Sequence, residues 1–517
     1  MLHSRDWVLG WSGCDVETSV LPLASATSPA RTMCLGVRSL CLSGLLLALP
    51  AAYAGYERGP ADIVALIDDG RFLDARASID AALARPNLSA DERAALEFQR
   101  ERMRRIRLDF PLGETEARRK LSELVPDLRE EEFQAWKRSN RLEHLDIDGQ
   151  SYYFSRAVSN LFLLDPAADA RRRPPRKPGG GPMEQANAYH DEALREARAT
   201  GKRSVAPRRV RVTQSIVVNA DAVPAGETVR AWIPYPRLRP GQQEDLVYLS
   251  SAPAAHRIAP ESAQQRTIYL EQAAQAGQPT TFSISYELTV YGQVHRIDPE
   301  RVQALGERPE LAPYLGERAP HIVYTDALRR YSREVVGDET NPARIAKKLY
   351  AAVDRIPWAG AREYSTLSNI SDYALHAGHA DCGQQTLLLM ALLRLNGIPA
   401  RWQSGMVYSD GDYDNLHDWG WLYLAPYGWV PMDVTTGRFQ DAKDPGVEWF
   451  YFGGLDAYRI AFNDDYGTEL VPAKRHFRSE TVDSQRGEVE WAGGNLYFDQ
   501  WDYRFKAQVL PLPGHAP

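Results

Sequence analysis

Asp381-Cys382-Gly383-Gln384-Gln385 runs straight into TLLLMALL, residues 386–393, and the stretch closes at Asn396-Gly397. No other feature limits the fold of this chain as much. The apolar run is too long for a typical strand, and Asn-Gly is a helix stop, so the segment predicts a buried helix. Asp381 stands where an N-cap belongs, which puts Cys382 in the first turn. Cysteines are more often inert core residues, but this one precedes the Leu-rich body of the helix. A thiol at that position feels the positive end of the helix dipole, which predicts a lowered pKa and a thiolate.

Cysteine counting narrows the chemistry further. The chain has four cysteines, and Cys14, Cys34 and Cys41 all lie before Gly55. Around Met33 the sequence reads MCLGVRSLCLSGLLLALPAAYA, with Arg38 as a positive flank, an apolar centre over residues 40–49 and Ala52-Tyr53-Ala54 as a small-x-small cleavage site. Residues 1–54 are therefore expected to be leader and signal peptide, with Met33 as the start codon and Gly55 as the mature start. No later segment reaches the length of a membrane-spanning helix. The expected product is periplasmic or secreted and has no membrane span after cleavage. It keeps the single thiol of Cys382, so an intramolecular disulfide framework is impossible.

The remaining chain changes period twice. At roughly 150 residues per domain, the length suggests about three domains. Residues 55–165 read as mostly helical, with Ile63, Leu66, Ile67 and Phe72 at helical spacing and Asp148-Gly149 as a hairpin turn. Residues 166–207 form a linker with RRRPPRKPGGGP, followed by a short helix at 184–198. From residue 208 to 298 alternation by two, as in Val210, Val212, Ile216 and Val218, predicts an antiparallel, sandwich-like β-domain. Helices return over 299–480, including one that Pro342 opens, and 481–517 reads as C-terminal strands and tail. The fold class is thus α+β. With 61 basic against 68 acidic side chains the net charge is −7, which gives no support to nucleic-acid binding. The basic linker lacks interleaved aromatic residues and reads as a solvated spacer.

A thiolate nucleophile needs a base, and the base needs an orienting group. His417-Asp418-Trp419-Gly420-Trp421 alternates like a strand, residues 425–428 form a turn, and Trp429-Val-Pro-Met-Asp433 starts a returning strand. A hairpin loop with an odd number of residues would put His417 and Asp433 on one face, opposite or diagonal. Trp419 and Trp421 share that face, where they either wall a cleft or pack a core. His376, His379 and Cys382 are spaced like metal ligands but lack a fourth, and a metal would quench the thiolate, so they predict no metal site. The two histidines read instead as surface or loop residues.

ADCGQQ, ALLRLNGIPAR, HDWGWLYL and YGWVPMDVTTG together resemble the core of the transglutaminase-like superfamily over roughly residues 340–440. The resemblance implies a papain-like cysteine fold. It assigns Cys382 as nucleophile, His417 as general base and acid, and Asp433 as the group that orients the imidazole. Many relatives have Gly where this chain has Ala380 and Glu where it has Trp421. The implied reaction is acyl transfer on peptide or isopeptide amides of a peptide or protein substrate, through a thioester and without a cofactor. Hydrolysis is the preferred outcome, with amine transfer (crosslinking) or a non-catalytic scaffold as alternatives. The backbone N–H of Cys382 is the expected first oxyanion donor, with Tyr364 and Trp358 as candidates for the second.

Overall fold

Three hydrophobic cores organise the computed structural model, which describes residues 59–175 and 181–512. The leader expected at 1–54 lies outside the described residues. The first core gathers Ile63, Ile79, Leu121, Phe133 and Leu161 from helices Ala61–Asp68, Phe72–Leu83, Glu114–Leu124, Glu130–Arg138 and Ala157–Leu164. The longest helix of this region, Ala90–Asp109, starts on a reciprocal cap. The Ser89 hydroxyl accepts the Glu92 N–H, and the Glu92 carboxylate accepts the Ser89 N–H at 2.9 Å. The turn at Asp148-Gly149 joins strands His144–Ile147 and Gln150–Tyr153 with φ of 50° and 82°, the positive angles that a tight two-residue hairpin turn requires.

The region of alternating residues forms two antiparallel sheets around a second core. Ser204–Val218 pairs with Thr280–Val294, placing Val210 against Leu288 and Ile216 against Phe282. Thr228–Pro234 pairs with Thr267–Ala273 in the other sheet. Val210, Val212 and Ile216 point inward with Val229, Ala231 and Ile233. The C-terminal strands complete these same sheets. Trp501–Leu510 covers the free edge of Ser204–Val218, and Glu488–Trp491 pairs with Thr228–Pro234.

The third core surrounds the helix Cys382–Leu395, buried throughout from Gly383 to Arg394. Helices Asp326–Val336, Pro342–Val353 and Ile370–Ala377 contribute to it from one side. On the other lies a four-stranded antiparallel sheet ordered Gly428–Met432, Asp414–Leu424, Ala400–Tyr408, Arg459–Asn463. Leu387, Leu388 and Leu392 pack with Trp402, Leu422 and Met432, each buried leucine contributing about 1.5–3 kcal/mol. On the opposite face of the same sheet, Trp419 and Trp421 both donate their indole N–H to Gln403 Oε1, at 2.7 and 2.9 Å. They pack into the core of the β-region, so core packing is their role. Among the described residues no helix is long and apolar enough to cross a membrane.

Candidate active site

Asp381 is extended and caps the Cys382 helix: its carboxylate accepts the Gln384 N–H at 3.0 Å, and Gln384 Oε1 accepts the Asp381 N–H at 3.3 Å. Cys382 is therefore the first helical residue, as the sequence predicts, and it is half-buried. Its neighbour Gly383 is required by space. A Cβ there would lie 2.1 Å from Tyr364 Oη and 2.8 Å from Asp418 Oδ2.

The hairpin holding His417 has a three-residue loop, since Leu424 pairs with Gly428. Gly420 lies opposite Met432, which puts Asp433 across from Trp419 and diagonal to His417 on the same face. His417 Nε2 accordingly lies 2.8 Å from Asp433 Oδ2. The same carboxylate oxygen accepts the Thr436 hydroxyl at 2.6 Å and Arg459 Nη1 at 2.7 Å. Oδ1 accepts the backbone N–H groups of Thr435 and Thr436, both at 3.1 Å. Burial alone would raise the Asp433 pKa. The charges of His417 and Arg459 outweigh it and hold the carboxyl well below the usual range. Asp433 is thus a firmly ionised partner for the ring and engages it through Nε2.

The sulfur has a different neighbour. Cys382 Sγ hydrogen-bonds to Asp418 Oδ2 at 3.1 Å. Asp418 alternates with His417 along the strand and faces the Cys382 helix, whose Thr386 hydroxyl donates to the Asp418 carbonyl at 3.3 Å. His417 stacks on Trp419 on the other face, with ring centroids 6.1 Å apart. The structure brings His417 and Asp433 together and seats the resting sulfur against Asp418.

Residues 329–434 match the family model of the transglutaminase-like superfamily. The chain carries a transglutaminase-like domain. Three solved structures are similar to parts of it. A protein from Cytophaga hutchinsonii described as a "putative cysteine protease" is 15% identical, covering 60% of this chain and 94% of its own, with a TM-score of 0.40. The periplasmic domain of TgpA from Pseudomonas aeruginosa is 13% identical, covering 46% and 94%, with a TM-score of 0.25. A protein from Parabacteroides distasonis is 9% identical, covering 50% and 68%, with a TM-score of 0.18. No curated protein matches the chain.

Within the transglutaminase-like domain, the thiol departs from the sequence expectation. The helix dipole predicts a lowered pKa, yet burial pushes the Cys382 thiol up, and the Asp418 and Asp381 carboxyls push it further. Burial likewise raises Asp381 to about 6. Tyr364, a candidate oxyanion donor, has its hydroxyl 3.1 Å from Asp381 Oδ1 and 3.2 Å from Asp418 Oδ2, committed to carboxyl groups. Trp358 forms a parallel backbone bridge with Ala380.

The two histidines before the cysteine part company. His376 Nε2 lies 2.7 Å from Asp372 on its own helix. His379 is no surface residue: it is buried with Nε2 3.5 Å from Glu143 of the N-terminal region, whose carboxylate also accepts the Tyr373 hydroxyl at 2.8 Å. Among the described residues no group of three or more His, Cys, Asp or Glu side chains is arranged to hold a metal ion. Sequence reasoning missed Asp418, Arg459 and Thr436. Asp418 alone left a signal, a carboxylate between His417 and the apolar run from Trp419 to Leu424.

Proposed function

We propose that this protein is an exported cysteine enzyme that cleaves peptide or isopeptide amides through a thioester, with Cys382 as nucleophile, His417 as general base and acid, and Asp433 as the orienting carboxylate. The observation that carries this reading is the 2.8 Å pair of His417 Nε2 and Asp433 Oδ2, braced by Arg459 and Thr436. So many donors on one buried carboxylate exceed what fixing a hairpin needs. They hold one ring nitrogen in a defined role and make the imidazolium a stable intermediate. Cys382 at the start of its helix supplies its backbone N–H for the oxyanion.

In the forward step His417 takes the thiol proton and sulfur adds to the amide carbonyl carbon. Collapse of the adduct breaks the C–N bond, and the imidazolium gives its proton to the departing amine, leaving a thioester. Water then adds to the thioester with His417 as base. The C–S bond breaks and returns the thiol and a free acid. A primary amine in place of water would make a new amide instead.

The test is incubation of the purified protein and its Cys382→Ala and His417→Ala variants with peptide amides, with and without a primary amine. Release of ammonia or peptide by the wild type alone, without amine incorporation, is the expected result. Incorporation would assign crosslinking, and equal behaviour of all three proteins across varied substrates would leave a scaffold.

A further inference from the structure

Asp418 is 1% exposed and bonds Cys382 Sγ through Oδ2, while its Oδ1 is buried without a hydrogen-bond partner. Proton counting constrains this cluster. The Tyr364 hydroxyl has one hydrogen but two carboxyl oxygens within reach, Asp381 Oδ1 at 3.1 Å and Asp418 Oδ2 at 3.2 Å. It can donate to only one of them, so the other contact needs a proton on a carboxyl. Asp381 Oδ1 already accepts the Gln384 N–H and suits the ionised form. The extra proton therefore belongs to Asp418 and is directed at Tyr364 Oη, while the Cys382 thiol donates its own hydrogen to Asp418 Oδ2. Carboxyl groups also face Asp418 from neighbouring elements, Asp381 from the helix cap and Asp483 from the segment before Glu488, while Glu480 acts on Tyr364. Glu363 beside Tyr364 is paired with Arg486 at 2.5 Å, and Asp483 accepts the Ser404 hydroxyl. His417, the adjacent residue, directs its ring to the other face.

We propose that Asp418 is a positioning residue that holds the Cys382 thiol protonated and seated on the helix-facing side of the strand, so that the sulfur must leave this carboxyl before His417 activates it. The proposal rests on the reading of Cys382 as nucleophile. It adds a resting state in which the enzyme's thiol is masked by its own neighbour. Of the two acids in contact the carboxyl ionises first, and a thiolate 3.1 Å away would then be a second negative charge beside it.

The experiment is the pH dependence of iodoacetamide alkylation at Cys382, read on the Cys382 peptide by mass spectrometry in the folded full chain. The wild-type midpoint is expected above the free-thiol value of about 8.5. Asp418→Asn should lower it by about one unit or more, which is about tenfold faster alkylation at a pH below both midpoints. A wild-type midpoint at or below about 8.5 would overturn the proposal, as would a midpoint in Asp418→Asn that is unmoved or higher. If that variant does not fold, Asp418→Ser, smaller and neutral, is measured in its place. Turnover in the His417→Ala variant, by contrast, would undo the catalytic reading and leave the alkylation result standing.

Discussion

Arg459 and His417 meet at a single oxygen: Nη1 of the arginine lies 2.7 Å and Nε2 of the histidine 2.8 Å from Asp433 Oδ2. Arg459 is buried, and its other nitrogens bind Asp456, with Nη2 at 2.6 Å and Nε at 2.9 Å. One guanidinium thus neutralises two buried carboxylates while fixing the one that fixes the ring. Arg459→Met should strand both charges and lower unfolding free energy by about 3–5 kcal/mol. Urea unfolding monitored by circular dichroism measures this. A loss within experimental error would mean the charges are relieved elsewhere.

The histidine–aspartate geometry sets an order among variants. His417→Ala removes the proton carrier and should cost about 10²–10⁴ in kcat/KM. Asp433→Asn keeps a base and disturbs its orientation, so its loss should be smaller than that of His417→Ala. Thermal melts of both variants must stay close to the wild type for the comparison to count. A greater loss in Asp433→Asn than in His417→Ala would contradict the assigned roles.

Gly383 offers a test that is independent of chemistry. A Cβ at this position would sit 2.1 Å from Tyr364 Oη, inside the cluster that holds the sulfur. Gly383→Ala should therefore force Tyr364 out of place and destabilise the fold by about 1–3 kcal/mol, although alanine is the better helix former. A melting temperature at or above that of the wild type would show that Tyr364 yields freely.

How far these features can be read from sequence depends on their range. The Cys382 helix, its Asp381 cap and the His417 hairpin are legible because each is fixed by residues a few positions apart: a capping residue, an apolar run, an odd loop. The C-terminal strands are legible as strands but not as partners of Ser204–Val218, because that pairing joins residues nearly 300 positions apart. Arg459 is unreadable for a different reason: it lies only 26 positions from Asp433, but no local pattern marks it as that residue's partner. The thiol pKa goes the other way from its sequence expectation because a helix dipole acts within one turn, whereas desolvation and carboxyl neighbours depend on everything packed around the sulfur.

The contact between the N-terminal helices and the segment leading to Cys382 should depend on pH. Asp109, at the end of Ala90–Asp109, accepts the Glu363 N–H and the Thr366 hydroxyl, both at 3.1 Å. Burial, with the nearby Glu363 charge adding to it, pushes the Asp109 carboxyl up to about 8. A carboxyl raised in the folded state binds its proton more tightly there than in the unfolded chain. Its contribution to stability is complete below the unfolded value of about 3.9. It falls as pH rises from there through about 8. Between pH 5 and 8 the wild type should therefore lose stability from this site, and Asp109→Asn should lose less. Asparagine keeps an oxygen for both donors and carries no charge. Other groups titrate in the same window, Glu480 among them at about 8, so the decisive quantity is the difference in slope between the two proteins. Urea unfolding at pH 5, 6, 7 and 8 supplies it. Parallel slopes would mean that Asp109 is solvated in the folded protein and that this contact is not held by a buried proton.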